Sequence, residues 1–262
     1  MNKPITMYDL EPVIQMTEDI KYSDRLLIDA ASYNKWAHSI LPQLGNMQMI
    51  DFSASAMKEH GVQIGNKWFY YRRLPKTHKV YRYQSMFSRY MPSELIPEKD
   101  MVERPCGLRI YTSGIKKQGN AFFTDDVGIP VLANSMGDPW MSLTPMEVMS
   151  QRVGVRRARG NVLVGGCGMG WFARRCLERS KVKHLTICDI DNDVLQYFGG
   201  QIKKEYGDRV TLIHSDIYKL DAMKYDSYLS DIWAGMNDMP YDRKFKEIKE
   251  YHPNVWGWGY AY

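Results

Sequence analysis

The arrangement of apolar and polar positions changes character near residue 140 of the 262-residue chain. Beyond it, short unbroken apolar runs alternate with helical spacings, as in strands buried on both faces and joined by crossover helices. Asn161-Val162-Leu163-Val164 runs directly into glycine, and Trp171, Phe172, Cys176 and Leu177 then mark one face of a helix. His184-Leu185-Thr186-Ile187-Cys188 predicts a second strand, followed by a helix on Val194, Leu195, Phe198 and Ile202 with Asn192 as its cap. Gly199-Gly200 weakens that helix without ending its pattern. A third strand is predicted from Arg209 to His214, a fourth through Ser227-Tyr228-Leu229, and a fifth from Val255 to Tyr260. Thr144-Pro145-Met146-Glu147 predicts a helix start, with threonine as cap and glutamate spaced for reciprocal capping, and a helix reaching Arg156.

The first half reads differently. Leu26, Leu27, Ala30, Ala31, Trp36 and Ile40 predict a helix between Ser23 and Leu41, and Phe52, Ala56 and Met57 a shorter one. Lys67 to Arg73 and Val80 to Gln84 predict two strands joined by Pro75-Lys76-Thr77-His78. Pro92, Pro97 and Pro105 punctuate a loop, and a further β section is predicted from Leu108 to Leu132. The fold class expected is α/β: a Rossmann-like, mostly parallel sheet with a shortened C-terminal end, preceded by an α+β N-terminal region. The expected divisions are 1–105, 106–140 and 141–262.

The chemistry concentrates at predicted strand ends. Gly166, Gly168 and Gly170 form a strand-to-helix turn where the backbone turns tightly and a ligand can approach, with a helix behind it offering free amides. Asp189 and Asp191 end the second strand about twenty residues on, where such folds place an acid against ribose hydroxyls. Asp216 follows the third strand and Asp231 the fourth. Aspartates at strand ends also cap helices and begin turns, and glycines also make plain turns. Gly168-Met169-Gly170-Trp171-Phe172-Ala173 fits a dinucleotide fingerprint too, but a full dinucleotide fold requires a second mononucleotide half, for which little sequence follows Asp216.

These residues resemble the class I S-adenosylmethionine-dependent methyltransferases, and Val162-Leu163-Val164, Cys188-Asp189-Ile190-Asp191 and Leu212-Ile213-His214-Ser215-Asp216 are most similar to the spermidine synthase branch. The resemblance covers about residues 140 to 260. It implies S-adenosylmethionine as cofactor, with the Gly166 to Gly170 loop against its methionine part and ribose, Asp189 on the ribose hydroxyls and Asp216 facing the adenine amino group. It further implies that the Ile217 amide meets a ring nitrogen and that Asp231, the candidate catalytic residue, stands at the mouth of the transfer site. The helix after Thr144 would lie over the cofactor, so Glu147 has ligand contact as a second possible role. The reaction implied is methyl transfer to an unspecified acceptor, with aminopropyl transfer and a non-catalytic binding protein as alternatives.

Two departures narrow this. Gly137-Asp138-Pro139-Trp140-Met141-Ser142 offers a single acid where a polyamine entrance carries several, and Asp231-Ile232-Trp233 lacks the Asp/Asn-Pro-Pro-aromatic pattern of enzymes that methylate exocyclic amines of DNA bases. The family's final antiparallel hairpin has no counterpart, so the N-terminal half or a second subunit is expected to cover the sheet edge. A homo-oligomer is one way to meet that need. His214, closing a buried strand, is expected to be structural, and Trp233 could wall an acceptor pocket.

Composition adds bounds rather than chemistry. The chain is 44% hydrophobic and shows no run long enough for a membrane span and no apolar signal-peptide core at Met1 to Ile5. Cys106, Cys167, Cys176 and Cys188 lack metal-ligand spacing and read as reduced thiols, so no metal and a cytoplasmic location are expected. Between Glu59 and Glu94 there is no acid, while Lys67, Arg72, Arg73, Lys76, Lys79, Arg82 and Arg89 alternate with aromatics. That mixture suits nucleic-acid binding through cations and stacked bases. It suits equally a solvated hairpin with its rings turned inward.

Overall fold

The structure, a computed structural model, describes residues 4, 6, 7, 25–41, 49–51, 53–77, 80–81, 101–103, 109–111, 120–233 and 242–258. Its C-terminal half is a five-stranded parallel sheet built from β10 (Gly160–Gly165), β11 (Val182–Asp189), β12 (Val210–His214), β13 (Ser227–Ser230) and β14 (Val255–Gly257) in the order β12-β11-β10-β13-β14. This is the expected α/β sheet, with β10 in the centre. Alternate residues feed two cores: Val162, Val164, Leu185, Ile187, Leu229 and Trp256 enter one, while Leu163, Cys188, Tyr228 and Val255 enter the other. Burial of both faces is what makes the central strands read as unbroken apolar runs. β12, at the edge, is only partly buried.

Helix α3 (Pro145–Arg157) is capped by Thr144, whose hydroxyl accepts the Glu147 amide at 3.3 Å. It precedes β10, and α4 (Trp171–Leu177) follows the glycine turn. After β11 the chain forms α5 (Asn192–Val194), a π-helical turn (Leu195–Gly199) and α6 (Gly200–Tyr206). The cap is Asp191, which receives the Val194 amide at 3.0 Å, and not Asn192 as the spacing suggests. The diglycine is crossed by the π turn. Helix α7 (Arg243–Tyr251) is capped by Asp242.

The N-terminal half departs further from expectation. Leu26 and Leu27 belong to a strand, β1 (Arg25–Ile28), and the helix α1 (Ala30–Ile40) begins only after Asp29, whose carboxylate receives the Ser32 amide at 2.6 Å. A short apolar run does not distinguish strand from helix by spacing alone, and the capping aspartate sets the boundary. Asp29→Ala is expected to lower stability by about 1 kcal/mol, read as a lower urea midpoint with unchanged slope. Helix α2 (Ala54–His60) matches the shorter prediction, whose Phe52 lies outside the described residues.

Strands β2 (Val62–Ile64), β3 (Lys67–Leu74), β8 (Val127–Asn134) and β9 (Pro139–Ser142) form an antiparallel sheet in the order β2-β3-β8-β9. Strand β4 (Val80–Tyr81) pairs instead with β7 (Asn120–Phe123), which also takes β1, so the predicted β3–β4 hairpin is absent and the two strands sit in different sheets. β5 (Met101–Glu103) and β6 (Arg109–Tyr111) make a separate pair. In the described part of the basic segment Phe69, Tyr70 and Tyr71 are buried, Trp68 is partly buried and Lys67 is 3% exposed, while the cations Arg72, Arg73 and Lys76 face outward. His78, Lys79, Arg82 to Gln84, Arg89, the three prolines, Cys106 and Leu108 lie outside the described residues.

Among the described residues no strand pairs beyond β14. The Arg157 guanidinium at the end of α3 donates to the Val255 carbonyl at 3.0 Å, which blunts that edge. Gly65, Lys67 and Phe69 share one face of the β2–β3 hairpin by their period of two. They meet Asp193, Asp191 and Phe198, so this sheet packs on the helical segment after β11. No helix of the described residues is long and apolar enough to cross a membrane.

Candidate active site

In an open parallel sheet the ligand crevice lies beyond the carboxyl ends of the strands where the order reverses. Here that point is the junction of β10 and β13. A cavity of ≈ 160 Å³ opens there, lined from β9 by Trp140, Met141 and Ser142, from α3 by Glu147 and Gln151, and from the turn by Gly166, Cys167 and Gly168. Trp171 and Phe172 of α4 complete one wall, and Asp231, Trp233 and Trp258 the other. It is small beside the about 300–1,000 Å³ usual for a pocket that encloses a whole drug-sized ligand.

The residues predicted from sequence divide accordingly. Gly166, Gly168 and Asp231 line the cavity, whereas Gly170, Asp189, Asp216 and Ile217 do not. Gly166 has φ +87°, and a Cβ there would overlap the Asp231 carbonyl oxygen, so glycine is what allows β13 to run so close. Gly170, with φ +83°, is the left-handed N-cap of α4. Asp189 is half-buried; one carboxylate oxygen accepts the Cys167 amide at 2.7 Å and the other the Asp191 amide at 2.8 Å. Asp216 accepts the Tyr218 amide at 3.0 Å, and the Ile217 side chain is buried at the tip of β10 beside Gly165. A carboxylate has further lone pairs beyond these, so Asp189 and Asp216 retain acceptor capacity for hydroxyl or amino groups.

Four amides of the turn are used inside the protein, while the N-terminus of α4, where free amides are expected, has no side-chain cap. Gly166, Cys167, Met169 and Gly170 donate to the Cys188 carbonyl, Asp189, the Met141 sulfur and the Cys167 carbonyl respectively.

The cavity instead gathers acceptors. Burial pushes the Glu147 carboxyl up to about 8, assisted by the nearby Asp231 charge and opposed by the Ser142 amide and hydroxyl at 3.4 and 3.3 Å. Burial also raises Asp231 to about 7, opposed by the Gln151 amide at 2.5 Å. Gln151 is 1% exposed and its side-chain carbonyl oxygen has no hydrogen-bond partner among the described residues. No Lys, Arg or His is among the lining residues. Glu147 thus reaches back to Ser142 and into the cavity. Trp233 lines the cavity and is held by the Asp242 carboxylate, which its indole N–H meets at 3.1 Å. Sequence reasoning missed Gln151, Trp258 and Asp242, which become neighbours only through tertiary contacts. His214 is exposed rather than buried, its ring nitrogen 3.1 Å from the Ile190 carbonyl.

No family model matches this chain. No curated protein matches it either. Among solved structures it is similar to the 23S rRNA methyltransferase ErmE, at 15% identity over 38% of this chain and 37% of that one, TM-score 0.30. It is similar to the Podospora anserina methyltransferase PaMTH1 bound to SAH, at 20% identity over 42% and 48%, TM-score 0.32. The phosphoethanolamine N-methyltransferase 2 of Haemonchus contortus, in complex with S-adenosyl-L-methionine, matches at 12% identity over 96% of this chain and 61% of that one, TM-score 0.30. The chain spans less than two thirds of each of these proteins. The functional reading rests on the cavity and not on likeness at this level.

Proposed function

We propose that the chain is an S-adenosylmethionine-dependent methyltransferase whose acceptor is yet to be identified. The observation that carries this reading is the cavity at the β10–β13 junction: two carboxyls, an amide oxygen and an aromatic wall, without one basic side chain. Such a lining selects a cationic, phosphate-free group, since carboxylates pair with it and ring faces attract it. A sulfonium with an adjacent ammonium is that kind of group. In this reading the backbone of Gly166, Gly168 and Gly170 lies beside the cofactor's methionine part, Asp189 takes the ribose hydroxyls, and Asp216 with the Ile217 amide takes the adenine.

Bound, the cofactor would supply a methyl group open to direct displacement. The protein's own share is positioning and proton handling. Trp171, Phe172 and Trp233 exclude water, Gln151 orients Asp231, and Asp231 holds the acceptor in line or receives its proton. A carboxyl poised near neutrality suits the last task.

Aminopropyl transfer, as in the spermidine synthase-like branch, is favoured by one specific feature. The cavity offers no cation to the α-carboxylate that S-adenosylmethionine carries and its decarboxylated form lacks. Isothermal titration separates the readings: methyl transfer expects saturable heat with S-adenosylmethionine and none with NAD. Binding of only the decarboxylated cofactor would replace the first reading with the second, and binding of neither would end both.

A further inference from the structure

Lys67 belongs to the basic segment of the sequence, yet it is among the most buried polar residues of the chain, at 3% exposure. Its ammonium pairs with the Asp191 carboxylate, meets the Asn66 side-chain oxygen at 3.0 Å and lies 3.8 Å from the centre of the Trp140 ring. Two of these contacts, to Trp140 and Asp191, lead towards the cavity and its glycine turn. Trp140 and its neighbour Met141 form the outer wall, and the Met141 sulfur receives the Met169 amide of the glycine turn at 3.0 Å. Asp191 places its own amide on Asp189, and Asp189 receives the Cys167 amide of the same turn.

We propose that Lys67 is a positioning residue for the glycine turn: held between Asp191 and Trp140, it fixes the Asp189 carboxylate that anchors the Cys167 amide and, from the other side, the β9 wall. This rests on the reading of the cavity as the binding site. The argument is one of charge placed where two carboxylates converge. Asp189 and Asp191 lie two residues apart at one strand tip, and their mutual repulsion disfavours both being ionised unless a cation sits beside them. Burial pushes the Asp189 carboxyl up, opposed by the Asp191 and Cys167 amides and, to a smaller degree, by Lys67. Burial pushes Asp191 up as well, but the Lys67 ion pair and the Val194 amide outweigh it and hold Asp191 below the usual range. Without the ammonium the repulsion between the two carboxylates goes unopposed and Asp191 loses the partner that fixes its side chain, so the Asp189 carboxylate is held less firmly against the Cys167 amide.

Backbone hydrogen exchange followed by NMR in the ligand-free protein tests this. Lys67→Met removes the charge and keeps the apolar stem. The Cys167 and Asp191 amides are expected to exchange about tenfold faster, the scale of one lost charge-assisted hydrogen bond. Val131 and Leu132 in β8 are expected to exchange as in the parent, and S-adenosylmethionine affinity to fall by a similar factor. Asp191→Asn preserves a good helix cap while removing the same ion pair, and should give the same pattern. The double variant should add nothing further. Parental exchange at Cys167 in a folded variant overturns the proposal, as does acceleration shared equally by β8. Asp191→Asn decides alone if Lys67→Met does not fold. A parent protein indifferent to S-adenosylmethionine would remove the functional reading and leave the exchange result standing.

Discussion

Gly166→Ala is expected to destabilise the protein by about 3 kcal/mol or more, with loss of ligand binding in whatever fraction remains folded. Two causes add. The residue sits at φ +87°, where an L side chain costs about 1–2 kcal/mol. Its Cβ would also overlap the Asp231 carbonyl oxygen, which belongs to backbone rather than to a movable side chain. The Asp231 amide donates to the Gly165 carbonyl at 2.8 Å, so the clash is relieved only by prising β13 from β10. That movement carries the Asp231 carboxylate with it and deforms the cavity. Two other glycines make the comparison quantitative. Gly207 has φ +58° with ψ −130°, a conformation nearly reserved for glycine, and a Cβ added there would meet nothing within 4 Å, so Gly207→Ala should show only the conformational cost, about 1–3 kcal/mol. Gly200 opens α6 with open space around it, and Gly200→Ala should stabilise by up to about 1 kcal/mol. Chemical denaturation of the three variants should rank them in this order; a Gly166→Ala protein as stable as Gly207→Ala would mean that β13 does not press on the turn.

How far the architecture is legible in the sequence depends on where each strand finds its partner. Val162 to Val164 and Leu185 to Cys188 are buried on both faces, and strands of that kind announce themselves as apolar runs ending in glycine or aspartate. β3 carries an equally clear pattern, but its partner is β8, Lys67 opposite Asn134 and Leu74 opposite Val127. The local turn residues Pro75 to His78 point to the next strand instead. Adjacent strands pair more often than not, and this sheet is an exception that no local signal marks. Asp191 lies one step from the expected cap, Asn192. Side chains that close a helix end compete with neighbours of nearly equal fitness, and tertiary contacts such as Lys67 on Asp191 settle the contest.

The site is legible where a single backbone feature demands a residue type. The turn requires glycine, and Asp231 follows directly from the end of a buried strand. Glu147 shows the limit: the spacing from Thr144 fits a capping box, and the same spacing also carries the carboxylate past the cap to Ser142 and the cavity. Gln151, Trp258 and Asp242 carry no motif at all. Gln151 matters because one turn of α3 separates it from Glu147, which sets both side chains on the face that looks across at Asp231.

Asp231→Asn is expected to lower the rate of transfer by about 10²–10⁴-fold if the carboxylate receives the acceptor's proton, and at the same time to make the protein more stable at pH 8. The two effects have one origin. Burial raises Asp231 to about 7 and Glu147 to about 8 in the folded chain, both above their ordinary values in an unfolded one. Between the unfolded and folded values the native state binds more protons than the unfolded state, so stability falls as pH rises. The penalty is small near pH 4, grows towards pH 7 to 8 and is fully present above that. Asparagine removes the Asp231 share and still meets the Gln151 side chain, so thermal unfolding at pH 8 should move up by a few degrees, about 2–4 °C per kcal/mol in a chain of this size. At pH 4.5 parent and variant should unfold nearly together. Activity runs the other way: the parent should gain rate as pH rises through 7 to 8, since only the ionised carboxyl accepts a proton, and the variant should lose that rising limb, with some loss of cofactor affinity from the missing carboxylate. An Asp231→Asn protein with parental rate and a parental pH profile would restrict the residue to packing, and one no more stable at pH 8 would show that its carboxyl titrates in the ordinary range.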